Sequence, residues 1–172
     1  MLLFPVGLVN KTANLVATCQ RAGLRIATAE SCTGGLLCAL LTEVPGASRV
    51  VERGFIAYSN AAKIEVLDVP ADLLQVHGAV SESVACAMAT GLLNLCSNVA
   101  LTIAVTGIAG PDGGSGQRPA GLVHLAAARR GASVTHQRAL FPGDRTEVRL
   151  ATVATAIAIL AALVPTSLHG RS

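Results

Sequence analysis

Apolar residues follow two patterns along the chain, and together they predict alternating helices and strands. Short unbroken apolar segments are typical of strands buried on both faces, whereas apolar residues three or four positions apart are typical of helices packed on a sheet. Strands are predicted over residues 24–29, 50–58, 99–106, 122–128 and 133–141. Helices are predicted over residues 10–22, 33–41, 60–67, 84–95 and 144–164.

The order of these elements predicts the fold class. Helices and strands alternate first, and a strand pair that turns at residues 129–131 comes later. This order is typical of an α/β fold, a three-layer α/β/α sandwich around a mixed, mostly parallel sheet of about five strands. We expect residues 1–172 to form a single domain, because no repeat or linker divides them. In such sheets the ligand site lies beyond the carboxyl ends of the strands.

Composition narrows the class of protein. Hydrophobic residues make up 52% of the chain and charged residues 13%, which is typical of a folded protein with a large core. A net charge of +3 without a basic run predicts that the protein does not bind nucleic acid. Five cysteines without a CxxC pair predict free thiols, no metal site and a reducing cytoplasmic location. So apolar a chain is also expected to form a homo-oligomer.

Two uncharged segments, residues 83–111 and 150–170, are long enough to span a bilayer. Polar residues interrupt the first segment, and the second is rich in Ala and Thr, so we expect no membrane association. The N-terminus contains Pro5 and Asn10 where a signal peptide requires an unbroken apolar segment, which also favours the cytoplasm.

Ser31 is the first candidate for chemistry, because it lies between a predicted strand and a helix opened by Gly34 and Gly35. Free backbone N–H groups at such a helix start can bind an anion, either a phosphate or a developing oxyanion. Cys32 offers an alternative nucleophile at the same turn. The structural alternative is that Ser31 or Thr33 only caps the helix.

Lys63 is the second candidate, in the first turn of a helix that begins near Asn60. The helix dipole and burial in a crevice would both favour the neutral amine, which can act as a base for a serine hydroxyl. Serine–lysine pairs are a known variant of the nucleophile–base arrangement. The alternative is a solvated lysine paired with Glu65 or Asp68.

Two further features favour an anionic ligand. The glycine-rich segment over residues 107–116, which includes Gly107 and Gly110, allows the backbone to approach a ligand closely. Arg145 and Arg149 share one face of the last helix and could bind a phosphate. The alternatives are an ordinary surface loop and a solvated arginine pair neutralised by Glu147.

Taken together, five segments of the chain resemble the CinA C-terminal domain family, which includes stand-alone nicotinamide-nucleotide amidohydrolases. The matching segments are TAESCTGG (28–35), YSNAAK (58–63), HGAVS (77–81), VTGIAGPDGG (105–114) and GDRTEVR (143–149). The resemblance extends from about residue 10 to residue 164. One departure is the segment RPAG (118–121), where the family often has KPVG.

The resemblance implies hydrolysis of the small-molecule substrate nicotinamide mononucleotide to nicotinate mononucleotide and ammonia, without metal or organic cofactor. It implies Ser31 as the nucleophile, Lys63 as its base, and Tyr58 and Thr106 as further members of the active site. Substrate-binding roles are implied for a larger set, namely Cys32, Thr33, Gly34, Gly35, Gly107, Gly110, Arg145 and Arg149. Three alternatives remain: a nucleotide-binding or regulatory protein without catalysis, an amidohydrolase for another amide, and a partner in DNA transformation or the damage response.

Overall fold

The sheet has five strands and is mixed, as the sequence predicts. In the computed structural model, which describes residues 3–165, the strand order is β2-β1-β3-β4-β5. The strands are β1 (Ile26–Glu30), β2 (Val51–Ile56), β3 (Leu101–Gly107), β4 (Leu122–Arg129) and β5 (Thr135–Leu140). β1 pairs in parallel with β2 and β3, whereas β4 runs antiparallel to β3 and to β5. Four strands therefore point one way and β4 the other.

Six helices complete the two outer layers. They are α1 (Val6–Arg21), α2 (Leu36–Thr42), α3 (Asn60–Leu67), α4 (Ala71–His77), α5 (Glu82–Leu95) and α6 (Arg145–Leu163). One core joins α1, α2 and α6 to one face of the sheet, and a second core joins α3, α4 and α5 to the other. The three-layer α/β/α architecture is confirmed.

Two short helices do not follow from the apolar pattern. Helix α4 and a 3₁₀ helix at Ala47–Arg49 lie in segments that the pattern leaves as connections. α4 has only seven residues and a single buried one, Leu74, so its apolar periodicity is too short to recognise. α2 also begins later than predicted, because residues 33–35 form a turn before the helix.

Helix α6 is the one helix within residues 3–165 that is long and apolar enough to cross a membrane, by length and composition alone. Its mean hydropathy is 1.6. Six of its residues, including Val153 and Ile157, are buried in the protein, and it packs on β3, β4 and α1. Residues 166–170 of the second uncharged segment lie outside the described part of the chain.

Gly91 allows α5 to lie directly against the end of α3. A Cβ atom at this position would clash with the carbonyl oxygen of Leu67, the last residue of α3. Only a residue without a side chain fits there, since neither helix backbone can move far within the core. This close contact sets the position of α3 over the sheet.

We predict that Gly91→Ala lowers the free energy of unfolding by about 1–3 kcal/mol, because the added methyl group forces the two helices apart. The matched control is Gly7→Ala, since a Cβ at Gly7 in α1 would have no atom within 4 Å. That control should raise the free energy of unfolding by up to about 1 kcal/mol. Urea titrations measure both, and a Gly91→Ala protein as stable as wild type would contradict the packing argument.

Candidate active site

Ser31 lies at the carboxyl end of β1, where the strand passes into the turn before α2. Its backbone N–H donates to the carbonyl of Val105 in β3 at 3.0 Å, so the residue continues the strand pairing by one position. Ala27 and Ala29 pack in the core formed with α3, α4 and α5. Because strand side chains alternate, the Ser31 hydroxyl is on this same face. The residue is buried.

Lys63 comes to the same point from α3. The hydroxyl of Ser59 accepts a hydrogen bond from Ala62 N–H at 3.0 Å and so caps the helix, as its sequence position favours. Helical side chains tilt towards the helix N-terminus, which directs the lysine back over the residues that precede α3. Its Nζ atom lies 3.2 Å from Ser31 Oγ, and the residue is only 1% exposed.

Two backbone carbonyls hold the amine in place. Lys63 Nζ donates to the carbonyl oxygens of Ala57 at 2.9 Å and Tyr58 at 3.0 Å. No ion pair within residues 3–165 includes this lysine, and Glu65 and Asp68 are both exposed. The solvated ion pair considered from the sequence is therefore wrong.

Burial lowers the pKa of the Lys63 ammonium from its usual value of 10.5. The physical cause is desolvation, which penalises the charged form more than the neutral amine. The nearest opposing influence is the thiol of Cys32, whose thiolate form would favour a charged lysine. The site therefore favours an uncharged amine beside the serine hydroxyl.

Cys32 is a poor competitor for the role of nucleophile. Burial raises the pKa of its thiol to about 11, although Arg149 and Arg145 oppose this shift. Because the thiolate is the reactive form, a thiol with so high a pKa is unreactive near neutral pH.

The start of α2 is not a free anion site, which corrects the expectation from the sequence. The carboxylate of Glu30 accepts hydrogen bonds from the backbone N–H groups of Gly35, Leu37 and Cys38 at 2.8–3.0 Å. The N–H groups of Gly34 and Leu36 donate to carbonyls within the turn. In the described chain, the backbone N–H groups of Cys32 and Thr33 donate to no backbone carbonyl, and the Cys32 N–H interacts only with the thiol of its own residue.

Tyr58 and Thr106 lie on two sides of the serine–lysine pair. Thr106 follows Val105 on β3, and its hydroxyl donates to the carbonyl of Ala79 at 2.8 Å. This bond ties the connection between α4 and α5 to the sheet beside Ser31. Tyr58 follows β2, with its side chain exposed and its hydroxyl 3.3 Å from an Arg145 nitrogen.

Arg145 and Arg149 reach different parts of the site. Arg145 Nη1 donates to the carbonyl of Gly110 at 3.0 Å, so this exposed arginine connects the glycine loop to Tyr58. Arg149 Nη2 donates to the carbonyl of Thr33 at 2.7 Å, beside the turn that follows Ser31. Both guanidinium groups place positive charge near this turn.

Glycine is needed at several positions of the site, and the structural reason differs from one position to the next. Gly34 and Gly35 have φ values of 58° and 92°, which the turn before α2 requires. A Cβ at Gly107 would lie 2.8 Å from the carbonyl oxygen of Leu122 on the neighbouring strand. Gly110, with φ 83°, presents its carbonyl to Arg145.

One pair of polar residues in this region was not foreseen from the sequence. His124 on β4 pairs with Thr106 in the strand register, and its Nδ1 lies 2.9 Å from Nε2 of His136 on β5. The two rings are stacked, and Glu82 at the start of α5 lies 3.5 Å from His136. The alternation of both strands could have indicated this pairing, but only with the register known. In residues 3–165 no cluster of three metal-ligating side chains occurs.

The protein is a three-layer α/β/α protein with a buried serine–lysine pair at its strand ends. Comparisons with known proteins give its family. The chain matches the CinA C-terminal domain over residues 9–164 and belongs to this family. It is 51% identical over 135 residues to a CinA-like protein of Anaeromyxobacter dehalogenans, covering 78% of this chain and 33% of that protein. The chain thus spans about a third of the length of the curated relatives it matches.

Solved structures agree with the fold. The competence/damage inducible protein CihA from Agrobacterium tumefaciens superposes with a TM-score of 0.92 at 46% identity, covering 95% of this chain and 99% of that chain. A CinA superfamily protein from Klebsiella pneumoniae superposes with a TM-score of 0.86 at 38% identity, covering 91% and 97%.

We predict that the buried amine makes stability depend on pH. Because the pKa of Lys63 is lower folded than unfolded, the unfolded chain holds one more proton between the two values. Wild type should therefore gain stability relative to Lys63→Met as the pH rises through this window, up to about pH 10.5. The quantity compared is the free energy of unfolding of the two proteins. Urea titrations across this pH range measure the difference. A difference that does not change with pH would mean that Lys63 titrates as an ordinary lysine.

Proposed function

We propose that this protein hydrolyses the carboxamide of nicotinamide mononucleotide to nicotinate mononucleotide and ammonia. The observation that carries the proposal is the contact of Lys63 Nζ with Ser31 Oγ at 3.2 Å, made by an amine that is almost completely buried. Serine alone is a weak nucleophile, and a neutral amine within hydrogen-bonding distance is the base that it needs. The reaction requires no metal or organic cofactor.

The two carbonyls orient the base. A neutral amine has two N–H bonds and one lone pair, and the carbonyls of Ala57 and Tyr58 accept the two hydrogens. The lone pair is then left for the Ser31 hydroxyl. Lys63 therefore accepts the serine proton while Ser31 Oγ forms a bond to the carboxamide carbon.

Collapse of the tetrahedral intermediate breaks the carbon–nitrogen bond. Lys63 donates its newly acquired proton to the departing nitrogen, which leaves as ammonia, and an acyl ester remains on Ser31. A water molecule then attacks this ester while Lys63 takes one proton from the water. The bond between the acyl carbon and Ser31 Oγ breaks, Lys63 passes that proton to Ser31 Oγ, and nicotinate mononucleotide leaves.

The backbone N–H groups of Cys32 and Thr33 are the candidates for the oxyanion hole. Glu30 or turn carbonyls occupy the N–H groups of the next five residues, Gly34 to Cys38. The N–H groups of Cys32 and Thr33 follow the nucleophile directly, as in other acyl-transfer sites. Each such donor typically lowers the barrier by about 3 kcal/mol.

Positive charge supports a phosphorylated substrate. Arg145 is exposed and contacts both Tyr58 and the glycine loop, so its guanidinium can also bind a phosphate at the open side of the site. Arg149 is half-buried and donates to the Thr33 carbonyl. Its guanidinium therefore contributes positive charge beside the turn but is less free to bind the phosphate directly.

We predict that Lys63→Ala lowers the rate of ammonia release from nicotinamide mononucleotide by at least about 100-fold, since general base catalysis contributes this much or more. The chain has only one other lysine, the exposed Lys11 on α1, so Lys11→Ala is the matched control and should keep wild-type activity. Substrate binding by Lys63→Ala, measured by calorimetry, should change little. Near-normal ammonia release by Lys63→Ala would refute its role as base.

Ser31→Ala should abolish turnover, and mass spectrometry of wild type quenched during turnover should find a nicotinoyl ester on Ser31. An adduct on Cys32 would identify the thiol as nucleophile instead. Wild-type protein that binds the nucleotide but releases no ammonia would support a binding protein that lacks catalysis.

We predict that Arg145→Ala weakens the preference for the phosphorylated substrate. Loss of one hydrogen-bonded charge should lower kcat/KM for nicotinamide mononucleotide about tenfold or more, with little effect on nicotinamide riboside, which has no phosphate. Arg21→Ala is the control, because Arg21 on α1 is exposed and its side-chain hydrogen bond within the described residues is to its neighbour Thr18. An equal loss with both substrates would mean that Arg145 supports the loop rather than the phosphate.

A further inference from the structure

Glu30 is a buried ionisable group that the mechanism above does not use. It is 1% exposed and precedes Ser31 directly. Its Oε2 accepts from the N–H groups of Gly35 and Leu37, each at 3.0 Å, and its Oε1 accepts from Cys38 N–H at 2.8 Å. Oε1 also lies 3.3 Å from the hydroxyl of Thr28.

These bonds satisfy a helix end that has no other cap. The first N–H groups of a helix have no partner within the helix, and Gly35, the residue before α2, has no side chain with which to accept them. A carboxylate is well suited to this position, because its bonds to N–H groups are charge-assisted and it interacts favourably with the helix dipole.

Glu30 and Ser31 face opposite sides of the sheet. Successive side chains on a strand alternate, so the serine lies on the side of α3 and the carboxylate on the side of α2. The carboxylate oxygens are already engaged with four donors, which leaves Glu30 poorly placed to exchange protons with a substrate. Its contacts instead determine where the turn after the nucleophile lies.

Besides the bonds to Glu30, the turn is held by two bonds between its own backbone groups and by the Arg149 guanidinium, which donates to the Thr33 carbonyl. Gly34 and Gly35 adopt left-handed conformations, in which glycine is free to move between alternatives. The turn is held at one end by the bond from Ser31 N–H to Val105 and at the other by the bond from Gly35 N–H to Glu30. Cys32 and Thr33 lie between these two attachments.

We propose that Glu30 is a positioning residue for the amide hydrolysis. Its carboxylate binds the amino end of α2, which fixes the Cys32 and Thr33 N–H groups relative to the Ser31 hydroxyl and keeps substrate anions away from that helix end. This inference rests on the proposed function, because it assigns the purpose of the turn to acyl transfer at Ser31.

The test compares Glu30→Gln and Glu30→Ala with wild type in two assays. The first measures kcat and KM for nicotinamide mononucleotide. The second measures the rate at which a small fluorophosphonate labels Ser31, detected by mass spectrometry, and does not depend on the substrate. The control is Thr102→Val, which removes a buried hydrogen bond to Ala89 at the other end of β3 and lowers stability without reaching the turn.

We expect Glu30→Ala to lower kcat about 100-fold, the loss typical of a misplacement near 1 Å, with KM changed less than about threefold because ground-state binding is preserved. Labelling of Ser31 should slow in parallel. Added formate should raise both rates in Glu30→Ala by restoring a carboxylate, whereas formamide should not. Thr102→Val should keep wild-type values of both rates.

Circular dichroism checks the fold of each variant. If Glu30→Ala does not fold, Glu30→Gln keeps the side-chain volume and one acceptor oxygen, and we expect its kcat to fall at least about tenfold. The proposal is overturned if a folded Glu30→Gln protein keeps kcat and labelling within about twofold of wild type, or if formamide acts as well as formate. Wild-type protein that labels at Ser31 but does not hydrolyse the nucleotide would refute the proposed substrate, while the labelling rates would still decide the role of Glu30.

Discussion

The desolvated amine of Lys63 is the constraint on which the site depends. Lys63 is 1% exposed and has no carboxylate partner among residues 3–165, so it costs free energy unless it loses its charge. Two carbonyl acceptors that follow β2 offset part of this cost, and α3 packs closely against α5 at Gly91. The same packing brings the amine to Ser31, so the energetic cost and the proposed chemical use have one structural origin.

Strand β1 carries two different functions on its two faces at one strand end. Ser31 faces the helices α3, α4 and α5, where its proposed base lies, whereas Glu30 faces α2 and caps it. A parallel strand buried on both faces makes this division possible, because each side chain meets a separate helical layer. The turn between them is short, so a displacement of α2 would move the backbone that follows the nucleophile.

The positive charge of the site comes from two arginines around the serine–lysine pair and not from the pair itself. Arg145 and Arg149 donate to carbonyls of the glycine loop and of the turn after Ser31, and the Glu30 carboxylate beside that turn is engaged by backbone N–H groups. A neutral base beside two cations favours an electron-rich, negatively charged ligand. The proposed phosphate site would therefore lie beside the serine–lysine pair at the strand ends, where ligands of α/β sheets usually bind.

The sequence alone determined the order of the main elements, the mixed sheet, and the three segments that meet at the strand ends, because apolar periodicity and glycine-rich turns are local properties. The residues alone offered Lys63 as a base for a serine hydroxyl, and the resemblance to a known family chose this pairing with Ser31 over the alternatives. Tertiary structure alone decided that the lysine is buried, that Glu30 fills the helix end expected to be free, and that His124 contacts His136. Each of these depends on which helix covers which face and on strand register, which are set by contacts between residues far apart in the chain.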